Sequence, residues 1–285
     1  MKIIFFGTPS FVIPVLESLT KTLEVVAVVT TPDTVQGRKK IITPTPVKQW
    51  TLENLPSAKI FSPEQLTAET IKQLTDLRPD LIVTAAYGKI IPQTILDIPK
   101  LGSLNIHPSL LPKYRGPSPI QTAILNGDTE TGVTIMAMDA ELDHGPILAQ
   151  EKIDLKGDET FASLHTELFT LAAGMLAATI EQLNDGALQP TPQDESKVVW
   201  CKKITKEDGY FDIENPPDKA TLDRMIRAFY PWPTAWTKLK MANDEWRIVK
   251  LLPGKKIQLE GGNPMTIKDL LNGYPDMKEL LEKLL

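Results

Sequence analysis

The first hundred residues alternate short apolar runs with stretches of helical periodicity. Three runs are continuous and rich in β-branched residues, which predicts buried strands: KIIFF at 2–6, LEVVAVVTT at 23–31 and DLIVTAA at 80–86. The stretch SFVIPVLESLTK at 10–21 has apolar residues at helical spacing with Ser10 as its N-cap, and FSPEQL at 61–66 is expected to open another helix. Strands that alternate with helices indicate a parallel sheet covered on both faces.

The pattern continues through the next ninety residues. Three further strands are predicted, followed by one long helix with Thr160 near its start: LGSLNIH at 101–107, GVTIMAM at 132–138, GPILAQEKI at 145–153 and the helix at 158–183. The predicted fold is therefore α/β, a Rossmann-like, doubly wound and mostly parallel sheet that occupies residues 1–190.

The character of the chain changes after residue 184. The segment NDGALQPTPQDES is polar and contains prolines, which is typical of a linker, placed here at 191–202. Beyond it a short helix and three strand-like runs follow: KATLDRMIRAF at 219–229, TKLK at 237–240, EWRIVKLL at 245–252 and KIQLE at 256–260. We therefore expect a smaller β-rich domain at 203–285, either an OB-like barrel or a small sheet.

Composition narrows the class of protein. A single cysteine, Cys201, excludes internal disulfides and a cysteine metal cluster. The longest uncharged apolar stretch, residues 168–180, is too short to span a bilayer, and no signal-peptide pattern is visible. These features predict a reduced, cytoplasmic protein.

Charge is unevenly distributed along the chain. The net charge of −5 argues against nonspecific binding of nucleic acid by the whole surface. Residues 1–199 carry 16 Lys and Arg against 23 Asp and Glu, whereas residues 200–285 carry 15 against 13. The C-terminal part could therefore hold a polyanion by one face, although lysine-rich stretches are commonly just solvated.

The first strand is not followed by a nucleotide-binding loop. The sequence there is FFGTPSF, which has one glycine and lacks the G-x-G-x-x-G pattern. A Walker pattern is also missing from the chain. The sheet is therefore not expected to bind NAD or ATP in the usual way.

Polar residues follow two of the predicted strands. Asn105 and His107 lie at the end of LGSLNIH and, two positions apart, point to the same face. Asp139 and Asp143 follow the strand GVTIMAM, which one helix connects to the first. Because open α/β sheets bind ligands outside the carboxyl ends of their strands, these side chains are expected to converge.

An Asn, His and Asp group of this kind suits acyl transfer to an amine. Amide and imidazolium N–H groups can stabilise an oxyanion, and a carboxylate can orient the imidazole and help to remove a proton. The chain has no G-x-S-x-G motif, and Cys201 lies far along the sequence, so a covalent acyl-enzyme has little support. A purely structural histidine at the end of a strand remains the alternative.

The segment from 104 to 148 closely resembles the core of the 10-formyltetrahydrofolate-dependent formyltransferases. It contains that family's Asn-x-His, its Ser-Leu-Leu-Pro loop at 109–112, and its Leu-Asp-x-Gly turn with Asp143. The resemblance implies that Asn105 and His107 stabilise the oxyanion while Asp143 holds the imidazole. Asp139, which does not match the turn, is expected to be structural.

Three further segments resemble the branch of this family that acts on methionyl-tRNA. They are the GTPSF opening, the loop TTPDTVQGRKKIITPTPVKQW at 30–50, and IRAFYPWPTAW at 226–236; AAYGKIIP at 85–92 also fits. The resemblance implies transfer of the formyl group of 10-formyltetrahydrofolate to the α-amine of methionyl initiator tRNA. It also suggests a C-terminal domain shorter than usual.

The same resemblance assigns binding residues. The folate is expected against two segments: Ser109, Leu110, Leu111 and Pro112, and Ala86, Tyr87 and Gly88. Arg38 is expected to read the unpaired first position of the initiator tRNA, with Lys39 and Lys40 on phosphates. Phe11 is a candidate for the methionine pocket, with core packing as its alternative. We expect a monomer that needs no metal.

Three other functions remain open. An N-formyltransferase acting on an amino-sugar nucleotide would keep Asn105, His107 and Asp143 but change the basic loop and the Pro-Trp-Pro segment. A formyl-folate hydrolase would use water as the acceptor. A tRNA-binding protein that has lost catalysis would share the fold, but the intact triad argues against it.

Overall fold

A seven-stranded sheet forms the centre of the N-terminal region in the computed structural model, which describes residues 1–36, 41–240 and 245–274. We number strands and helices in chain order. The sheet strands, from one edge to the other, are β10 (Ile147–Asp154), β9 (Glu130–Ala137), β7 (Ser103–His107), β6 (Leu81–Ala85), β1 (Lys2–Gly7), β2 (Glu24–Val29) and β5 (Lys59–Phe61).

The sheet is mostly parallel, which confirms the predicted fold class. β1 pairs in parallel with both β2 and β6, β2 with β5, and β6 with β7. β7 and β9 are antiparallel neighbours. The expectation that the strands before Asn105 and before Asp143 lie side by side is therefore confirmed.

Helices cover both faces of this sheet. In the N-terminal region they are α1 (Ile13–Thr20), α2 (Pro46–Asn54), α3 (Ala68–Asp76), α4 (Gln93–Leu96) and α6 (Phe161–Asn184). One apolar core lies between the sheet and α1, α2 and α6, and a second between the sheet and α3 and α4. Residues that alternate along β1 and β6 enter the two cores in turn, because side chains of a strand point to opposite faces.

Two predicted helix starts are wrong. The first helix begins with a 3-10 turn at Ser10–Val12 whose cap is Pro9, so Ser10 is not an N-cap. The segment FSPEQL is not helical, and α3 begins only after Thr67, whose hydroxyl accepts from the backbone N–H of Thr70 at 3.4 Å. In both places the start of the helix is set by local backbone geometry that apolar spacing does not encode.

The long helix α6 confirms the periodicity predicted for 158–183. Thr160 caps it by accepting a hydrogen bond from the backbone N–H of Ser163 at 3.1 Å. Its 24 residues are long and apolar enough to cross a membrane by length and composition alone, a test that core helices also pass. Its buried residues include Leu168, Phe169 and Leu176, and Phe169 and Leu176 belong to the core on one face of the sheet.

Four shorter strands and two further α-helices lie in the described residues up to 229. β3 (Thr34–Gln36) and β4 (Ile41–Thr43) pair antiparallel. β8 (Lys113–Arg115) pairs in parallel with β11 (Val199–Trp200). The helices are α5 (Pro119–Asn126) and α7 (Lys219–Phe229), and α7 has the bounds that the sequence predicted.

The C-terminal region contains an antiparallel sheet of four strands, which confirms the smaller β-rich part. In order they are β12 (Ala235–Lys240), β13 (Trp246–Leu252), β14 (Lys256–Leu259) and β15 (Met265–Thr266), followed by α8 (Ile267–Gly273). Apolar residues of α7, α8 and this sheet form a core of their own. Within the described residues, β12 and β15 are the two edges of this sheet.

The chain divides into two compact units. The first comprises 1–115, 132–152 and 165–200, and the second comprises 116–131, 153–164 and 201–285. The predicted domain boundaries near 190 and 203 divide the chain into consecutive segments. The two compact units are instead each made of three separate segments that contact one another. Most of the segment predicted as a linker belongs to the first unit, where Thr191 and Ile147 exchange two backbone hydrogen bonds of 2.8 Å.

Candidate active site

The site begins at the carboxyl end of β7, in the first unit. Leu104 and Ile106 enter the core beside α6, so Asn105 and His107 point to the opposite face of the sheet. Asn105 is aligned with Thr84 on β6. His107 is buried, with 4% of its surface exposed, and Asn105 is half-buried.

Asp143 reaches both side chains from the turn after β9. The amide nitrogen Nδ2 of Asn105 donates a hydrogen bond to Oδ1 of Asp143 at 3.3 Å. Nδ1 of His107 lies 3.6 Å from Oδ2 of the same carboxylate, whose side chain is 11% exposed. The structure therefore brings the three predicted residues together, with the carboxylate between the amide and the imidazole.

The other ring nitrogen of His107 has a backbone partner. Nε2 lies 2.9 Å from the carbonyl oxygen of Tyr114, and because a carbonyl only accepts, Nε2 is the donor of this hydrogen bond. Tyr114 has φ +65, a left-handed conformation that is uncommon outside glycine. This contact orients the ring so that Nδ1 faces Asp143.

The turn that presents Asp143 depends on close backbone packing. Asp143 itself has φ +50, which Asp tolerates better than most residues. A Cβ at Gly145 would collide with the carbonyl oxygen of Ala137 at the end of β9. The glycine of the Leu-Asp-x-Gly turn is therefore required by this approach.

Asp139 has a different partner from Asp143. Its Oδ2 lies 2.6 Å from Nδ1 of His144, and both side chains are more than a third exposed. The hydrogen bond to Asp139 raises the pKa of His144 above its usual value of 6.5, with smaller contributions from the charges of Asp139, Glu141 and Glu195. The two carboxylates of this loop thus serve separate histidines.

The Ser-Leu-Leu-Pro loop is held by two residues that sequence reasoning missed. The hydroxyl of Thr134 donates to the carbonyl of Ser109 at 2.6 Å and accepts from the N–H of Leu111 at 3.2 Å. Gln150 donates from Nε2 to the carbonyl of Leu111 at 3.0 Å and to the hydroxyl of Thr134 at 2.9 Å. Thr134 is the one polar residue in the run VTIMAM at 133–138, and this is the signal that could have pointed to them.

The predicted folate residues of this loop mainly build the loop itself. The hydroxyl of Ser109 donates to the carbonyl of Lys113 at 2.6 Å, and the carbonyl of Leu110 accepts from the N–H of Lys113 at 3.0 Å. The carbonyl of Pro112 accepts from the N–H of Val199 at 3.3 Å. The loop therefore forms a stiff wall whose backbone groups are largely occupied.

The segment at 86–88 offers more backbone to a ligand. Ala86 and Gly88 are exposed at the end of β6 and have φ +46 and +87. The ring of Tyr87 instead packs in the core beside α3 and α4, where burial raises the pKa of its hydroxyl. The nearby hydroxyl of Thr84 is buried without a hydrogen-bond partner among the described residues, so it could bond to a ligand.

Phe11 lies in apolar packing. Its ring stacks on the imidazole of His165 with centroids 4.3 Å apart, and lies 5.1 Å from the ring of Phe169. These contacts fit the core alternative for Phe11, and a place in a methionine pocket stays a prediction.

Three predicted tRNA contacts, Arg38, Lys39 and Lys40, lie outside the described residues. In the part of the chain that is described, no group of three His, Cys, Asp or Glu side chains is arranged to hold a metal ion. The expectation that no metal is used is not tested by this and stays a prediction.

Comparison with known proteins places the chain in a family. The family model for formyl transferases matches residues 1–180, and the model for the formyl transferase C-terminal domain matches 203–256. A methionyl-tRNA formyltransferase from Roseiflexus castenholzii is 47% identical over 241 residues, covering 83% of this chain and 75% of the relative. One from Staphylococcus aureus is 40% identical over 262 residues, covering 91% and 83%.

The chain belongs to the methionyl-tRNA formyltransferase family. The predicted family is thereby confirmed, since these identities extend over most of both sequences.

Solved structures share the fold of this family. A methionyl-tRNA formyltransferase from Clostridium thermocellum has a TM-score of 0.60 at 18% identity and covers 94% of this chain and 99% of its own. HypX from Aquifex aeolicus, in complex with tetrahydrofolic acid, scores 0.63 at 18% identity and covers 95% of this chain and 47% of its own. A sugar N-formyltransferase from Shewanella scores 0.64 at 16% identity and covers 88% and 97%. At these identities the likeness shows the fold alone.

Proposed function

We propose that this protein transfers the formyl group of 10-formyltetrahydrofolate to the α-amine of methionyl initiator tRNA, a step of translation initiation. The observation that carries the proposal is the convergence of Asn105, His107 and Asp143 in a chain of this family. Such an enzyme would act in the cytoplasm, and we expect it to act as a monomer.

The chemistry begins with attack of the methionyl amine on the formyl carbon, which forms a tetrahedral centre with a negatively charged oxygen. Nδ2 of Asn105 has two hydrogens, and one already points to Asp143, which leaves the other to donate to that oxygen. His107 is assigned as the second donor, through Nδ1, because Nε2 is occupied by the carbonyl of Tyr114. Two fixed donors in a buried site stabilise an oxyanion strongly.

Asp143 has two roles in this scheme. Its carboxylate, 3.6 Å from Nδ1 of His107, orients the imidazole ring. It is also a base that can accept the proton lost by the attacking amine. The bond from the formyl carbon to N10 of the folate then breaks, N10 takes up a proton, and the products are formylmethionyl-tRNA and tetrahydrofolate.

The formyl donor is assigned from the family and from the polar groups near the end of β6. HypX, which shares this fold, was solved with tetrahydrofolic acid. A pterin edge carries several donors and acceptors, so the exposed backbone at Ala86 and Gly88 and the hydroxyl of Thr84 are suitable contacts. We assign the wall at 109–112 to packing against the ligand.

The acceptor is assigned from the relatives, and a sugar nucleotide is the second candidate because a sugar N-formyltransferase has the same fold. One assay separates them. The protein is incubated with 10-formyltetrahydrofolate and with charged initiator tRNA, an amino-sugar nucleotide, or neither. We expect consumption of the donor only with the tRNA. Consumption without any acceptor would indicate a hydrolase, and no consumption would indicate loss of catalysis.

Replacement of Asp143 by Asn or of His107 by Ala tests the triad. Either change should lower kcat for initiator tRNA by about a hundredfold or more, the usual scale for oxyanion or acid-base groups. The measurement is steady-state formylation with both substrates saturating.

Asp139→Asn is the matched control, since it makes the same change in the same loop at a carboxylate that contacts His144 instead. It should retain turnover close to that of the unmodified protein. Near-normal turnover in Asp143→Asn or His107→Ala would disprove the assignment.

A further inference from the structure

The turn that carries Asp143 is held by a side chain from the segment after α6. Nε2 of Gln193 donates to the carbonyl of Asp143 at 2.9 Å and to the carbonyl of Gly145 at 2.8 Å. One primary amide therefore uses both its hydrogens on backbone groups either side of residue 144. These bonds lie in the first unit and fix the backbone where Asp143 has its left-handed conformation.

The orientation of this amide is itself fixed. Nε of Arg115 donates to Oε1 of Gln193 at 2.9 Å, so the amide oxygen faces the guanidinium and the amide nitrogen faces the turn. Only 2% of the Arg115 side chain is exposed, and it also donates to both oxygens of Glu195, at 2.6 and 3.2 Å. A buried arginine with a bidentate partner is a rigid anchor, because the planar guanidinium has few alternative arrangements.

We infer that Gln193 is a positioning residue for Asp143, with Arg115 as its anchor. The inference rests on the proposed function, in which the Asp143 carboxylate must lie between Asn105 and His107. Without the two donors of Gln193, the turn loses the bonds that hold a strained residue in place, and the carboxylate can move away from Nδ1 of His107. A displacement of about 1 Å in such a group can cost about a hundredfold in rate.

The alternative is that Gln193 only fastens the polar segment after α6 to the first unit. A general loss of stability would then lower the amount of folded protein without a specific effect on turnover. The effect of replacing Gln193 would then also be the same whether residue 143 is Asp or Asn. These two consequences distinguish the alternatives.

The test uses Gln193→Leu and Gln193→Glu in the full-length protein. Glutamate keeps the shape and an oxygen for Arg115 but replaces the amide donors with an oxygen that cannot donate. We expect kcat for initiator tRNA to fall about 10- to 100-fold in both, with KM for tRNA and for the folate changed little. Asp194→Asn is the matched control, because the carboxylate of this neighbour bonds to Ser196 and Lys197 and not to the turn.

A double variant decides whether the effect passes through Asp143. Adding Gln193→Leu to Asp143→Asn should lower kcat further by less than about threefold, since the carboxylate to be positioned is already missing. A further loss equal to that of Gln193→Leu alone would overturn the inference. Should Gln193→Leu fold poorly, the same comparison with Gln193→Glu decides.

Amide hydrogen exchange supplies a readout that does not depend on the reaction. The backbone amides of residues 139–146 should exchange faster in both Gln193 variants. In Asp194→Asn they should exchange at the rate of the unmodified protein. If the Gln193 variants showed the same amide exchange rates and the same kcat as the unmodified protein, the inference would be overturned. If the unmodified protein fails to formylate initiator tRNA while exchange follows the expected pattern, the proposed function fails but the placement of the turn by Gln193 stands.

Discussion

At the scale of single residues, burial distinguishes the two carboxylates of the loop after β9. Asp143 is 11% exposed on its side chain and lies between Asn105 and His107, whereas Asp139 is 37% exposed and pairs with His144. Charges act more strongly on a reacting group where water is excluded, because screening is weaker. This difference in environment supports the proposal that Asp143 is catalytic and that Asp139 is not.

The pair formed by Asp139 and His144 predicts a measurable titration. Because its hydrogen bond to Asp139 raises the pKa of His144, Asp139→Asn should lower that pKa toward 6.5. The measurement is the pH dependence of the imidazole proton resonances, which is simple in a chain with three histidines. His165, whose pKa is lowered by burial, is the internal control and should titrate as before.

The sign of the linked stability follows from the raised pKa. Stabilisation from this pair is fully present below the unfolded-state pKa of His144 and is lost as pH rises through the folded-state value. Asp139→Asn should remove that pH dependence near neutrality. An unchanged His144 titration in the variant would contradict the pairing.

At the scale of elements, the site depends on a turn packed closely against the end of β9. Gly145 allows this approach, since any Cβ there would meet the backbone carbonyl of Ala137. Thr134, on the same strand, holds the Ser-Leu-Leu-Pro loop through two hydrogen bonds. One strand thus positions both the turn with Asp143 and the loop that follows His107.

Gly145→Ala should therefore lower both stability and turnover. The added methyl group must push the turn away from β9, at a cost of about 1–3 kcal/mol of unfolding free energy, and the shift moves Asp143. Denaturant unfolding and steady-state formylation measure the two effects.

Gly174→Ala is the control, because its expected change in stability has the opposite sign. Gly174 is exposed within α6, and a Cβ there would meet no atom within 4 Å. Alanine should stabilise the helix by about 0.5–1 kcal/mol and leave turnover unchanged. If Gly145→Ala and Gly174→Ala were equally stable, the close contact between residue 145 and the carbonyl of Ala137 would not be the reason for a glycine at 145.

At the scale of the whole molecule, tRNA must be bound by an acidic protein with a net charge of −5. Association then depends on local positive segments rather than on the overall field. The segment Gly37-Arg38-Lys39-Lys40 is one such segment by sequence, and residues 200–285 are another, with 15 basic against 13 acidic residues.

Arg38→Ala should strongly reduce formylation of tRNA and leave folate binding unchanged, because the family resemblance assigns Arg38 to the acceptor end of the tRNA. Lys39→Ala or Lys40→Ala should act more weakly and reduce the salt dependence of tRNA binding by a slope of roughly 0.7–0.9 for each phosphate that the variant no longer neutralises. Formylation kinetics, folate titration and tRNA binding at several salt concentrations measure these effects. An equal loss of folate binding in Arg38→Ala would mean that the loop is a structural lid.

Much of the fold and the chemistry was determined by the sequence itself. The three continuous apolar runs became β1, β2 and β6, and the predicted helix at 219–229 has those bounds in the structure. Such elements are predictable because burial on both faces of a sheet, or on one face of a helix, leaves a local periodicity. Asn105 and His107 could be named because a strand end is a local signal, whereas Asp143 was distinguished from Asp139 by the family resemblance of its Leu-Asp-x-Gly turn.

Only the tertiary structure decided what surrounds those residues. Gln193 lies 50 positions from Asp143 in a segment that resembles a linker, and Arg115 lies 78 positions from Gln193. The partner of Nε2 on His107 is a backbone carbonyl, which no side-chain pattern encodes. Tyr87 and Phe11 turn toward apolar packing because the face on which a ring is buried depends on which helices cover the sheet. Contacts between distant segments carry no periodicity, so they appear only once the chain has folded.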